Sequence, residues 1–463
     1  MENVTIHNAE SKRFVLIITT LTTFLTSFGM TSINIALPTI GRELFLDAVM
    51  LSWLVNVFIF AAAAFLVPFG KIADIYGRKR IFTYGLLAFT VASIGSAISN
   101  SGVMLICWRI LQGIGSGANY CVGVSIVTAV FSSRELGRVF GINLTAVYLG
   151  QSLGPSLGGF LTEHIGWRSL FFVNVVLGTV LIVLIVWKLK GEWYEAREEK
   201  FDLFGSIIYS STLLFIMYGF SQLSETLGVL LILTGAMGMF VFVKWEAKVK
   251  TPVLDINLFK NNRVFTFSIF ATLFHYSATF AITFLPSLYL QYVKRLTPET
   301  TGLILVSQPV VQALLSPIAG RVSDRAEPQV VASIGMVLTA VGLFLFTFWG
   351  AETTAGFIVG SLILLGVGFA FFASPNMNAV MGSVENKSYG VASGTVGTMR
   401  MVGMSFSMGI TIVIFSVYIG KVQITPEYFP LFLKATKTAF TSFAVLCLLG
   451  AIISYLARKS RTS

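Results

Sequence analysis

Acidic side chains are scarce in this chain. Asp and Glu number 21 in 463 residues, and charged residues of both signs make up only 11% of it, where a soluble domain carries about a quarter. So few charges cannot cover a water-facing surface, and an ordinary soluble protein is excluded. Histidine and cysteine are rarer still, at three each. Cys107, Cys121 and Cys447 all lie within apolar runs, where a thiol acts as a small packing group; a disulfide framework is not expected. No metal centre, cofactor site, ATP-binding loop or nucleophile with its base is recognisable, so no enzyme is expected. A cleavable signal peptide is also missing: the apolar run starting near Phe14 is too long and lacks a small-residue cleavage site.

What is abundant is apolar length. Hydrophobic residues make up 55% of the chain, with a mean hydropathy of +0.82. A bilayer core of about 30 Å takes about 20 apolar residues per helix. Fourteen such runs begin near Phe14, Leu51, Ile81, Val103, Val139, Leu170, Leu203, Leu227, Val264, Thr301, Val330, Phe357, Val391 and Phe440. The expected class is an all-α integral membrane protein. Its net charge of +11 sits mostly in short loops between runs, which is a topology signal rather than a nucleic-acid footprint. The two termini and the even-numbered loops hold 23 of the 32 Lys and Arg, the opposite loops hold 7, and Arg109 and Arg400 lie inside runs. That asymmetry places both termini in the cytoplasm.

Charged loops at Trp187–Asp202 and Lys244–Arg263 divide the chain into six spans, a two-span insert and six more spans. The expected boundaries are 1–190, 191–262 and 263–463. Between spans 2 and 3 runs Gly70-Lys71-Ile72-Ala73-Asp74-Ile75-Tyr76-Gly77-Arg78-Lys79-Arg80, a basic turn whose glycines permit a sharp reversal and whose cations hold it at the cytoplasmic face. A degenerate copy, Gly320-Arg321-Val322-Ser323-Asp324-Arg325, follows 250 residues later. An anchor alone would need the cations but neither Asp74 nor the glycines. Asp74 is therefore expected to act in a gate, pairing with a cation such as Arg134 or Arg138 or capping a helix.

Span 4 carries Arg109-Ile110-Leu111-Gln112-Gly113-Ile114-Gly115, and a cation at that depth costs about 2.5–3.5 kcal/mol unless a partner or water compensates. Arg109 should face the bundle interior, with Gln112 nearby; the alternative is an arginine snorkelling to a helix end. In span 5, Gly150, Gly154 and Gly158 repeat every four residues, beside Pro155 and Gly159. One small face then admits a neighbouring backbone, and Pro155 removes a backbone hydrogen bond. A hinge or tight seal is the expectation.

These strings resemble the major facilitator superfamily of secondary transporters. The basic turn is similar to that superfamily's loop between the second and third spans. The Arg109 string resembles its fourth-span motif, in which such an arginine is implicated in proton transfer. The span 5 string resembles the antiporter signature of its drug-export branches. Asn34-Ile35-Ala36-Leu37-Pro38, Trp167-Arg168 with Phe171 and Asn174, and Leu288-Tyr289-Leu290-Gln291 look like the fourteen-span drug:proton antiporters. Two departures stand out: Cys121 replaces a usual proline, which would straighten span 4, and Gly29 stands where those antiporters carry an aspartate. The resemblance implies two six-helix bundles rocking about a midplane cavity. It also implies export of amphipathic small molecules in exchange for protons, by a multi-pass plasma-membrane protein working as a monomer.

The charge inventory qualifies that expectation. No carboxylate falls in the middle of a run, whereas Arg109, Arg400 and His275 do. A positive interior favours neutral, zwitterionic or anionic amphiphiles over quaternary ammonium compounds. His275 titrates near neutrality in its reference state and is either a proton carrier or a neutral hydrogen-bonded packing group. Arg400 either holds an anionic substrate or pairs with helix carbonyls. Candidate cavity residues are Asn34, Asn119, Tyr148, Gln151, Gln308, Gln312, Asn376 and Arg400, with Asn56, Tyr120, Asn143 and Asn378 further possibilities. Transport of lipids or anionic metabolites without proton coupling, and a non-transporting receptor or scaffold, remain open.

Overall fold

The computed structural model describes residues 9–189, 191–197, 199–223, 226–249, 259, 262–384, 389–420 and 422–457, and every regular element among them is a helix. Hydrocarbon offers no partner for backbone N–H and C=O groups, so each apolar run must satisfy them within itself. Span 1 runs Ala9–Thr31 and continues past Ser32 as Ile33–Glu43; spans 2 to 4 are Ala48–Tyr76, Arg78–Ala97 and Gly102–Val130. Spans 5 to 8 are Ser133–His164, Arg168–Lys188, Leu203–Ser221 and Thr226–Glu246. Span 9 begins as Arg263–Thr279, and span 10 comprises Pro298–Leu305 and Ser307–Arg325. Spans 11 to 14 are Pro328–Phe346, Ala355–Met381, Tyr389–Tyr418 and Phe429–Leu456. Polar caps set several starts: Asp47, Ser101, Asn262 and Thr354 accept backbone N–H groups of Met50, Met104, Phe265 and Phe357, filling donors that a helix leaves unpaired.

Among the described residues, thirteen helices are long and apolar enough to cross a membrane. The helix outside that set is span 5. At 32 residues its length suffices, but Asn143, Gln151 and six glycines dilute its apolar character. It packs against spans 1 and 10, so its polar and glycine faces meet protein.

Spans 2 and 4, 3 and 4, 1 and 5, and 3 and 6 pack together; so do 11 and 12, 10 and 12, 11 and 14, and 9 with 13 and 14. Spans 7 and 8 pair, and span 7 leans on spans 2 and 13. Two seams join the first set to the second: span 5 with span 10, and span 2 with span 13.

Two stretches depart from plain helix and loop. The run Val264–Tyr292 is broken: a 3-10 turn at Phe280–Ile282, a helix at Phe284–Leu288 and a π turn at Tyr289–Val293 follow its first segment. Pro286 has no N–H to return to the carbonyl of Ile282, and the helix tightens there. The loop after Gly420 is partly ordered. It carries a 3-10 turn at Pro426–Tyr428, span 14 starts at Phe429, and the Val422 carbonyl accepts the Ala48 N–H at 3.2 Å.

Candidate functional site

The basic turn is held by the segment that follows span 6. Gly77 ends span 2 and starts span 3 at φ +113°, and a Cβ there would lie 2.6 Å from the Glu192 carboxyl carbon; glycine is required twice over. The Glu192 carboxylate accepts the backbone N–H groups of Lys79 at 2.6 Å and Arg80 at 3.2 Å. An anion thus satisfies the open donors of the span 3 N-terminus. Buried Arg78 donates to Asp74 at 2.8 Å, to the Ser125 carbonyl at 3.0 Å and to Glu195. The Asp74 carbonyl accepts the N–H groups of Glu195 and Ala196 at 3.1 Å, and Lys71 pairs with Glu199 at 2.5 Å. Asp74 thus accepts from Arg78, one turn along; the side chains of Arg134 and Arg138, its expected partners, lie outside the described residues. In the second copy, Asn378 donates to Ser323 at 2.7 Å and to Asp324 at 3.4 Å. Gly320 faces Ser374 of span 12, and Arg325 is exposed.

Arg109 faces inward, as its depth requires. It is 0% exposed, donates to the Leu54 carbonyl at 3.2 Å and to Gln112 at 2.7 Å, and lies 4.4 Å from the Phe58 ring centroid. Gln112 in turn donates to Ser93 at 2.8 Å. One Arg109 nitrogen, Nη2, makes no hydrogen bond among the described residues. Span 4 is unbroken over 29 residues, consistent with Cys121 in place of proline.

The span 5 glycines lie against neighbouring helices. A Cβ on Gly150 would lie 2.8 Å from the Phe24 carbonyl, one on Gly154 would strike Thr31, and one on Gly158 would lie 3.2 Å from Ser32. Span 1 therefore lies backbone-close along this face. Gly159 instead abuts the Pro298 carbonyl of span 10, and Gly302 of span 10 abuts the Pro155 carbonyl. That reciprocal notch joins the two sets of helices at the end far from the basic turn. Beside it, Asn34 donates to Thr283 at 2.9 Å, Ser287 to the Asn34 carbonyl at 2.7 Å, and Gln291 to the Ile35 carbonyl at 2.9 Å. His164 lies 3.2 Å from Glu299, and Glu163 accepts the Glu299 N–H at 3.0 Å. Glu43, on the rim, accepts from Trp167 at 2.7 Å and Arg168 at 2.5 Å. The Arg168 hydrogen bond, helped by that of Trp167 and opposed by burial, lowers the carboxyl pKa of Glu43.

At mid-depth a cavity of about 50 Å³ opens between spans 1, 2, 4, 5 and 13. Arg400, Tyr120, Phe58, Met30, Met401 and Met404 are among its lining residues. Drug-sized ligands occupy about 300 Å³ or more, so helices must move before one fits. The Arg400 guanidinium stands 4.9 Å from the Tyr276 ring, with Tyr120 and Tyr148 in electrostatic reach. The next residue back, His275, is buried and stacked on Phe372 at 3.9 Å between centroids, with Phe369 edge-on at 4.9 Å; its Nδ1 makes no hydrogen bond among the described residues.

Of the expected cavity residues, Arg400 and Tyr120 line this space. Asn34 belongs to the far seam. Asn119 faces Gly85 of span 3, Gln308 donates to Gln312 at 3.1 Å within span 10, and Asn376 donates to Thr272 at 2.8 Å. Tyr148 is buried with its hydroxyl near Ser316 and Gln312 of span 10, and Gln151 is half-buried. Sequence reasoning missed Glu192, Glu195, Tyr276, Thr283, Ser287 and Gly302. Only Gly302, a small residue beside two threonines at a helix start, carried a local signal.

Comparison with known proteins agrees with this geometry. The family model described as Major Facilitator Superfamily matches residues 19–251 and 267–463. The chain is 28% identical to the riboflavin transporter RibZ of Clostridioides difficile over 98% of this chain and 99% of that one. It is 30% identical to the uncharacterized transporter YebQ of Escherichia coli over 80% and 82%. It is also 28% identical to the multidrug resistance protein Stp of Mycobacterium tuberculosis over 85% and 74%. A solved bacterial homologue of the human lysosomal transporter Spinster, inward-facing and unoccupied, superposes with a TM-score of 0.69 at 13% identity, covering 98% of this chain and all of that one.

Proposed function

The chain belongs to the major facilitator superfamily, a family of membrane transporters, and on that premise we propose that it exports amphipathic small molecules in exchange for protons. The observation that carries this reading is a mid-depth cavity set beside a seam closed at one end by glycine notches, hydrogen bonds and apolar packing. Such a seam can part without unfolding any helix. In this reading, span 5 is the fourteenth span, both termini are cytoplasmic, and residues 1–190 and 263–463 rock against each other around the insert. The protein works as a monomer in the plasma membrane.

Each motif takes a part in that cycle. The turn around Asp74, Arg78, Lys79 and Arg80, with its copy at Gly320, Asp324 and Arg325, closes the cytoplasmic side. Gly150, Gly154, Pro155, Gly158 and Gly159 close the outer side. Arginine stays protonated in proteins, so Arg109 and Gln112 set the field while His275 carries the proton. One charge crossing 100 mV supplies about 2.3 kcal/mol, enough to drive accumulation. The relatives named for riboflavin transport and multidrug resistance support the substrate range.

The test is transport in proteoliposomes under an imposed pH gradient, with internal pH followed as neutral, cationic and anionic amphiphiles are added in turn. Substrate entry with proton exit supports antiport. Substrate movement at constant pH makes the protein a facilitator, and no movement of any probe ends the export reading.

A further inference from the structure

Arg400 is a permanent cation on the wall of an apolar cavity inside the membrane region. Arg400 is half-buried, and a cation within a membrane span is normally paired. Among the described residues, every ion pair involves other side chains. The groups around Arg400 are the Tyr276 ring and the Tyr120 and Tyr148 side chains, and among the described residues no carboxylate pairs with it. Tyr148 is 6% exposed, and its hydroxyl is near Ser316 and Gln312 of span 10. A second cation reinforces the field: the Phe58 ring that lines the cavity lies 4.4 Å from the Arg109 guanidinium.

From this we infer that the cavity takes an anion: a flat aromatic amphiphile whose carboxylate, sulfonate or phosphate docks on Arg400. The inference rests on the transport reading above and narrows its substrate class. A guanidinium grips such oxyanions through two parallel N–H donors. The flat body lies among Phe58, Tyr120 and Tyr276. Tyr120 is itself fixed, because its ring fills the space that a Cβ on Gly397 would need. Met30, Met401 and Met404 supply a deformable wall that tolerates varied apolar shapes. A cationic amphiphile of the same shape meets two guanidiniums and no carboxylate, and is rejected.

Two xanthene dyes share one ring system and differ in charge: carboxyfluorescein is an anion at neutral pH and rhodamine 123 a cation. Initial uptake into proteoliposomes, above that of protein-free vesicles, should favour carboxyfluorescein by at least about tenfold, the scale of one charge-assisted hydrogen-bonded pair. Arg400→Gln should bring the ratio to about one, and Arg400→Lys, which keeps the charge without the fork, should preserve the preference at a lower rate. Equal or faster uptake of rhodamine 123 by the unmodified protein overturns the inference and leaves export standing. An unchanged ratio in Arg400→Gln overturns the role of Arg400. If neither dye moves, export of such compounds fails, and anisotropy of carboxyfluorescein on the solubilised protein decides the anion site: binding lost in Arg400→Gln supports it, and absence of binding overturns it.

Discussion

The Glu192 carboxylate accepts the backbone N–H of Lys79 at 2.6 Å, although 113 residues separate the two. A loop that looks like a linker is therefore a strap across the turn between spans 2 and 3. Glu192→Ala removes the cap, worth about 1 kcal/mol. The strap should open more often, and trypsin should cut at Arg197 about fivefold faster by the same free energy. Cleavage at the unmodified rate would mean that Glu195 and Glu199 suffice to hold it.

Asp74 receives the Arg78 guanidinium at 2.8 Å. Asp74→Asn keeps an acceptor but loses the charge that makes the bond strong. Transport should fall about fivefold, the loss of roughly 1 kcal/mol, with expression unchanged. Normal transport in this variant would reduce the turn to a topology anchor.

Gly302 lies against the Pro155 carbonyl, and a valine there overpacks the seam at a cost of about 1–3 kcal/mol. The far end should spend more time open. In a background lacking Cys107, Cys121 and Cys447, a cysteine at Ser287 should then react faster with an impermeant maleimide than it does beside Gly302. An equal rate would show that the notch does not govern closure.

His275 contacts Phe372, Phe369, the adjacent Tyr276 and the field of Arg400. His275→Gln preserves size and polarity but cannot take up a proton near neutral pH. Uphill transport driven by a pH gradient should stop, while downhill exchange stays within about twofold, as expected when only an acid–base group is lost. Undiminished pH-driven transport would leave His275 as a packing group.

The pKa of Glu43 is lowered mainly by the hydrogen bond from Arg168. A depressed folded-state pKa stabilises the protein above the unfolded value and ceases to do so as pH falls through the folded one. Solvent screening at this exposed rim limits the effect to about 1 kcal/mol or less. The stability gap between the protein and Glu43→Gln should therefore be full at pH 7 and vanish below the ordinary carboxylate range. A gap independent of pH would assign the effect to packing against Trp167.

The local parts of this fold were legible in its sequence. Run length gave the helices, the depth of Arg109 required its inward orientation, and the four-residue glycine spacing of span 5 announced a close approach to a neighbour. The run length of span 5 did not reveal how far its polar residues dilute it. What stayed hidden was pairing over long separations. Nothing near Glu192 says that it meets Lys79, and nothing near Tyr276 says that it faces Arg400. Asn34 looked like a cavity group because helical phase fixes a direction only relative to its own helix. Its partner, Thr283, stands in a stretch of span 9 that Pro286 makes irregular.

The notch at Gly159 and Gly302 has a bearing on leakage. A proton crosses a protein along a file of waters, and backbone pressed on backbone leaves no groove for one. A side chain at either position would hold the helices apart and admit such a file. The membrane would then leak protons through the parted seam, so these two hydrogens in place of side chains keep the junction between the two sets of helices dry as well as close.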